Sequence, residues 1–436
     1  MTTLSLVCII INLCIITTFG ITTPRYLPKQ SGLGTTPVTI IRCPMEDCIV
    51  PDVAYDNDNN ILHIVWGTND KQAYYSQSLN NGLNYTTPIH LNGPENVTTT
   101  MGERGPKIAL SPLSSTNTKD KIIHIVFADL WYPGASTYGR YVQSLDQGQT
   151  FSTPIQASHV PGIDGLTVIA DTDHYSQSVV VLYHVNDNQT ISNSSSSTWL
   201  YHTVSNNNGK SFNFPGTRIP IENMDGVSCS MCMMRARVVN QRIYIALRTA
   251  INNIRDFYVL NGSIIDTTIP FIPMRVPINP PYYTPICPMN GPELSIGPPI
   301  GSNTNDNTVV ITNPRLLIAC MSSDAARVYW ASHDPNAIGP NGPGTTNFTV
   351  LATTPNMDTN ARYPTVISNT AGDVLLIWQV GPMSVSGTAT VKYAVYRADG
   401  TYSNVTETIG TSFSGTKATG FVGSDNTFYI VTTART

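Results

Sequence analysis

Along nearly the whole chain, β-branched and aromatic residues alternate with polar ones over short runs, and Gly, Pro and Asn punctuate the runs. A period of two places successive side chains on opposite faces of a strand. Helical spacing is nearly absent, so the pattern predicts an all-β protein. Ile61-Leu62-His63-Ile64-Val65-Trp66 and Ile122-Ile123-His124-Ile125-Val126-Phe127 are near copies 61 positions apart. Self-similarity of this kind marks a repeat architecture.

Aligning the remainder to that pair gives inner strands starting near Pro51, Pro106, Leu166, Arg237, Pro292, Pro364 and Thr419, roughly 55 to 70 residues apart. Each leads into a second apolar strand and then a third, such as Ala73-Tyr74-Tyr75-Ser76, Gly139-Arg140-Tyr141-Val142 or Lys392-Tyr393-Ala394-Val395. Four strands per unit of this length predict the blades of a β-propeller. The count favours seven blades, or six if one of the weaker units is an insertion. The last unit, Lys417 to Ala434, supplies only about two strands, so its outer strand is expected from Thr36-Pro37-Val38-Thr39-Ile40-Ile41. Closing the ring with the N-terminal strand removes the open sheet edges. Residues 36–436 are thus expected to form a single domain.

Composition changes the picture in three ways. With 41% hydrophobic and only 12% charged residues, the 436-residue chain can bury a large core beneath a weakly charged surface. A formal net charge of -4 and the lack of any Lys/Arg cluster exclude a nucleic-acid partner. The apolar run Leu4 to Phe19, closed by Gly20 and followed by Pro24, predicts a signal peptide over residues 1–20 and a secreted protein. Its n-region lacks Lys and Arg, and retention of the segment as an anchor is the one route to a membrane. Seven Asn-x-Ser/Thr sequons, at Asn84, Asn96, Asn188, Asn193, Asn261, Asn347 and Asn404, fit a secreted glycoprotein.

Ser144-Leu145-Asp146-Gln147-Gly148-Gln149-Thr150-Phe151 matches the pattern Ser-x-Asp-x-Gly-x-Thr-Phe at every defined position. Ser205 to Phe212 repeats it with Asn207, Gly209 and Ser211, and Ser78 to Tyr85 with Asn80, Gly82 and Asn84. Such a segment reads as a turn: the Asp or Asn caps backbone N–H groups, Gly takes positive φ and the aromatic plugs the blade. With these repeats the chain resembles the sialidase-like, Asp-box superfamily of β-propellers over nearly its whole length. Cys229-Ser-Met-Cys-Met-Met-Arg-Ala-Arg237 and Cys287-Pro-Met-Asn-Gly-Pro292 look like a secreted subgroup of it. The resemblance implies that the Asp-boxes are structural and face away from the ligand site. It implies a fold more than a reaction, since the same fold carries enzymes and non-enzymatic glycan binders.

Strands alternate in direction. The connections between blades therefore share one end of the propeller with the turns between second and third strands, and the Asp-boxes mark the other end. Arg104-Gly105-Pro106-Lys107, Arg235-Ala236-Arg237-Val238 and Arg362-Tyr363-Pro364-Thr365 align at the first end. The resemblance implies a mouth where arginines hold a sugar carboxylate, which planar guanidinium forks do better than lysine. Arg104, Arg235, Arg237, Arg255 and Arg362 are the candidate ligand-binding residues, and Glu103, Asp129, Asp256 and Glu293 the candidate acid/base groups. Alternatively each arginine simply pairs with a neighbouring carboxylate. The chain also departs from sialidases: no Arg-Ile-Pro segment stands in the first blade, Arg218-Ile219-Pro220 lies mid-chain, and no Glu/Tyr nucleophile pair can be assigned.

Outside the leader, Cys43, Cys48, Cys229, Cys232, Cys287 and Cys320 each have a methionine close by. An oxidising compartment favours disulfides, with Cys43–Cys48, Cys229–Cys232 and Cys287–Cys320 as the preferred pairing. The alternative is a soft-metal site for copper built from Cys229, Met231, Cys232, Cys287 and Met289. No other cofactor is expected, and His63 and His124 read as packed residues. The expected function is recognition of a glycan or a small acidic ligand at the mouth, with glycoside hydrolysis open, against a non-enzymatic extracellular scaffold.

Overall fold

A computed structural model describes residues 36–93, 104–129, 138–158, 163–171, 175–186, 198–224, 228–229, 232–239, 241–251, 254–263, 269–277, 290–298, 315–321, 327–335, 338–339, 342–343, 348–353, 361–381, 388–397, 407–413 and 417–433. It is a seven-bladed β-propeller. The inner strands are Ile49–Asp56, Lys107–Pro112, Ile163–Ala170, Arg235–Val239, Glu293–Gly297, Ala361–Ser368 and Thr419–Val422, and they define blades 1 to 7 in chain order. Blades 1 to 6 each add three more strands outward in sequence order, all antiparallel. Blade 7 has two such strands, and Val38–Arg42 closes it by pairing in parallel with Phe428–Thr432, from Val38 opposite Phe428 to Arg42 opposite Thr432. The N-terminal strand therefore completes the ring as its sequence indicates.

The alternation of each strand gives two apolar faces, and the core is a set of slabs between adjacent blades. Ala54 of blade 1 packs with Ile108 and Leu110 of blade 2, whereas Val53 and Tyr55 point the other way, toward Phe421 and Val431 of blade 7. Similarly Val239 of blade 4 joins Leu294 of blade 5 while Ala236 joins blade 3. On every inner strand one set of alternate residues thus looks toward the following blade and the channel. The first member of that set is charged in most blades.

The Ser-x-Asp/Asn-x-Gly turns between third and fourth strands share one geometry. The serine hydroxyl accepts the glycine N–H, at 2.8 Å for Ser78–Gly82, 2.8 Å for Ser144–Gly148 and 2.9 Å for Ser205–Gly209. Asn80, Asp146 and Asn207 accept the N–H four residues on, at 2.9, 2.9 and 3.0 Å. The glycines lie at φ +84°, +86° and +82°. A Cβ on Gly148 would fall 2.1 Å from the Tyr75 hydroxyl, and one on Gly209 1.8 Å from that of Tyr141. The turns of blades 2 and 3 therefore rest on a tyrosine of the preceding blade, where Phe151 and Phe212 meet the same two rings edge-on, whereas Gly82 rests on Ile41 of the closing strand. His63 and His124 are buried beneath, bonded to Tyr75 and Tyr141 at 2.7 and 2.6 Å.

Candidate binding site at the mouth of the channel

At the end of the channel opposite those turns, the inner strands open on charged residues: Asp52, Lys107, Asp164, Arg235, Glu293, Arg362 and, just ahead of Thr419, Lys417. Three blades place them with a β-bulge. Register slips between Ile49 and Asp52, between Asp164 and Thr167 and between Arg362 and Thr365. Val50, Gly165 and Tyr363 carry the positive φ values, 48°, 60° and 51°. A β-branched or bulky residue there is strained, and the strain sits where a bulge re-aims a side chain.

The charges meet across the ring rather than within blades. Arg235 of blade 4 bonds Asp52 of blade 1 at 2.9 Å and Glu293 of blade 5 at 3.1 Å. Lys417, at the opening of blade 7, reaches the same Glu293 oxygen at 2.5 Å. Asp52 also accepts the Ile108 N–H of blade 2 at 3.2 Å. Asp52, Lys107, Arg235, Glu293, Arg362 and Lys417 are all buried. Arg237 differs: its side chain is 41% exposed, and its closest approach to Glu293 is a looser 3.7 Å. Burial alone would raise the Glu293 carboxyl, but the cations of Arg235, Lys417 and Arg237 outweigh it and hold the group down at about 2. Glu293 is thus a fixed carboxylate and cannot serve as a proton donor near neutrality.

The other candidates are placed as follows. Asp129 is paired with Arg140 at 2.9 Å, and Asp256 with Arg275 at 2.7 Å, both on the second-to-third-strand side of their blades. Arg255 is buried, and its carbonyl accepts the Arg248 guanidinium, which also bonds the Asn290 carbonyl. Arg104 lies three residues ahead of Lys107–Pro112, so the first charge on that strand is Lys107. Glu103 lies outside the described residues. Asp52, Lys107, Lys417 and Asn290 were not foreseen. The signal for three of the ring charges was a proline followed by a charge, in Pro51-Asp52, Pro106-Lys107 and Pro292-Glu293. Asn290 accepts the Tyr363 N–H at 3.2 Å and so ties blades 5 and 6 together above the ring.

Cys43 and Cys48 form a disulfide that ties the connection into blade 1. The Cys229 and Cys232 sulfurs stand 3.0 Å apart, in contact but short of the expected bond, since an S–S bond is about 2.05 Å. Cys320 is a buried thiol that burial pushes up to about 12, with Arg248 opposing. Cys287, Met231 and Met289 fall outside the described residues, and with them the rest of that pairing and of the copper alternative. Among the described residues no group of three or more His, Cys, Asp or Glu could hold a metal. Inside the Cys43–Cys48 loop, burial raises the Asp47 carboxyl, against its own backbone hydrogen bond and with a contribution from the Asp70 charge. Of the sequons, Asn84 lies exposed in its turn, whereas Asn261 is buried in Phe257–Ser263 and bonded to Arg242 at 2.6 Å. That position has no room for a glycan.

No family model and no curated protein matches the sequence. Solved structures do. The chain is similar to an α-L-arabinanase of Penicillium chrysogenum complexed with arabinobiose, at 11% identity and a TM-score of 0.51 over 84% of this chain and 98% of that one. It is similar to the GH93 α-L-arabinofuranosidase of Fusarium graminearum, also with arabinobiose, at 9% identity and a TM-score of 0.50, covering 80% and 93%. The Trypanosoma rangeli sialidase in complex with sialic acid gives 9% identity and a TM-score of 0.50, and the match spans 86% of this chain and 56% of the sialidase. At such identities the likeness is one of fold. The chain has a sialidase-like β-propeller fold.

Proposed function

We propose that this propeller binds a carbohydrate at the mouth of its channel, and that the sugar it prefers is acidic. One observation carries the reading: at the mouth three cations, Arg235, Arg237 and Lys417, converge on Glu293, Asp52 is the second partner of Arg235, and Lys107 and Arg362 open neighbouring strands. Among these directly paired groups the cations outnumber the carboxylates, although the chain as a whole is -4. A positive centre within a low-dielectric ring favours an anion, and the half-exposed guanidinium of Arg237, whose Nη1 donates to the Ala236 carbonyl at 2.9 Å, has further N–H groups to offer it. That solved propellers of the same fold hold arabinobiose and sialic acid supports a sugar as the anion's carrier. A leader-like segment at residues 1–20 supports delivery to the outside of the cell.

Calorimetry with sialic acid and with arabinobiose tests this directly. The acidic sugar should bind, and Arg237→Ala should weaken it roughly 10- to 100-fold, the loss of a charge-assisted contact of about 1.5–3 kcal/mol. Equal binding of the neutral sugar, or indifference to the substitution, would overturn the reading. Turnover is a second reading, and the neighbouring carboxyls of Asp47 and Asp70 are what favour it, since glycoside hydrolases use two carboxyl groups and burial together with the Asp70 charge raises Asp47. Fluorogenic sialoside and arabinofuranoside assays of the wild type and Asp47→Asn decide between binding and hydrolysis.

A further inference from the structure

The end of the propeller opposite the mouth carries an asymmetry that sugar binding does not explain. Six large hydrophobic side chains are exposed among the described residues: Leu79, Leu83, Leu145, Phe214, Ile254 and Ile269. Five of them belong to the connections between third and fourth strands, Leu79 and Leu83 in blade 1, Leu145 in blade 2, Phe214 in blade 3 and Ile269 in blade 4. Only Ile254 is at the mouth end. Single exposed leucines are ordinary, but these recur in the same connection of four consecutive blades. Leu79 and Leu145 even hold the same place, directly after the turn serine. At 70% and 57% exposure, Leu79 and Ile269 gain nothing from the core that would keep them apolar.

The chain itself leads to this face. Thr36 hydrogen-bonds Asp373 and Asn369, which form the turn between first and second strands of blade 6, and such turns share the end that carries the five hydrophobics. A contact between the two kinds of turn, Gln147 with Asp120, shows that they lie together. Along the same arc Lys119, Lys121 and Lys210 are interspersed with Asp58, Asp120 and Asp146, and Lys121 is paired with Asp58 at 2.7 Å. Among the described residues this face has no basic patch to seek anionic lipid.

We propose that this face rests on a zwitterionic lipid surface, with the five side chains inserted at the headgroup boundary and the mouth directed outward. Side chains spread singly over four blades fit a plane rather than a pocket, and their apolar area with a balanced charge fits an uncharged interface. Flotation of the full chain with phosphatidylcholine vesicles tests the proposal. The wild type should float, and L79Q/L145Q/I269Q should partition at least tenfold less while keeping its melting temperature and its mouth affinity. No flotation of the wild type, or equal flotation of the triple variant, would overturn it. Because the variant could lose binding for another reason, Leu145→Trp and Ile254→Trp provide a second readout with brominated lipid. Added quenching at position 145 and none at 254 supports the orientation, and equal or reversed quenching refutes it.

Discussion

Replacing Glu293 with glutamine removes the one negative charge that Arg235, Arg237 and Lys417 share, without changing the volume of the side chain. Asp52 would remain as a partner of Arg235, but Lys417 would lose its 2.5 Å contact with a carboxylate while almost wholly buried. Two routes give the size of the effect. Breaking a buried ion pair by removing one partner costs about 3–5 kcal/mol. Separately, the Glu293 carboxyl is held at about 2 against an ordinary 4.5, and a difference of that size corresponds to roughly 3 kcal/mol of stability. The sign follows from the depressed value: the contribution is present above the unfolded pKa and is lost as pH falls from about 4.5 toward 2. Urea unfolding followed by tryptophan fluorescence, at pH 7 and in steps down to pH 2.5, measures both. E293Q should be several kcal/mol less stable at pH 7, and the gap to wild type should close on acidification. A loss under 1 kcal/mol, or a gap that stays constant with pH, would show that Glu293 does not hold the ring together.

Three further outcomes are expected. Burial pushes His63 and His124 down to about 3, so both are neutral in the fold and protonate on unfolding; stability should therefore fall below pH 6.5 by about 1.4 kcal/mol per pH unit for each, and urea titration of His124→Gln should show one proton less in that slope. Gly148→Ala should cost about 2–4 kcal/mol, read as a fall in melting temperature, because the residue sits at φ +86° and its Cβ would meet the Tyr75 hydroxyl at 2.1 Å. A mild oxidant should join Cys229 to Cys232, whose sulfurs are already 3.0 Å apart, and leave Cys320 unmodified, as mass spectra of unreduced peptides would show.

The fold was legible because its determinants are local and repeated. The period-two runs fix which residues pair, and near copies such as Ile61–Trp66 and Ile122–Phe127 fall in equivalent second strands. Ser-x-Asp/Asn-x-Gly is likewise self-sufficient: its serine, acid or amide and glycine satisfy one another within a single turn. The closing strand could be inferred because the last unit lacked an outer strand and only one unassigned β-run remained.

The site resisted the same treatment because its contacts span the ring. Arg235 finds Asp52 in blade 1 and Glu293 in blade 5, and neither partner is near it in sequence. A single sequence registers three arginines opening strands, but not that Arg235 already has two carboxylates or that Arg237, two residues on, is the more exposed of the two. The bulges hide the register further, since Asp52 and Arg362 reach their places only by a slip of the ladder that Val50 and Tyr363 absorb at positive φ. What the strand-opening arginines join is a charged hub, in which Arg235 and Lys417 converge on Glu293. That hub does two jobs that separate experimentally. Glu293 carries the cohesion of blades 4, 5 and 7, so its loss should appear in unfolding, whereas Arg237 is half-exposed and stands farther from Glu293, at 3.7 Å, so its loss should appear mainly in binding.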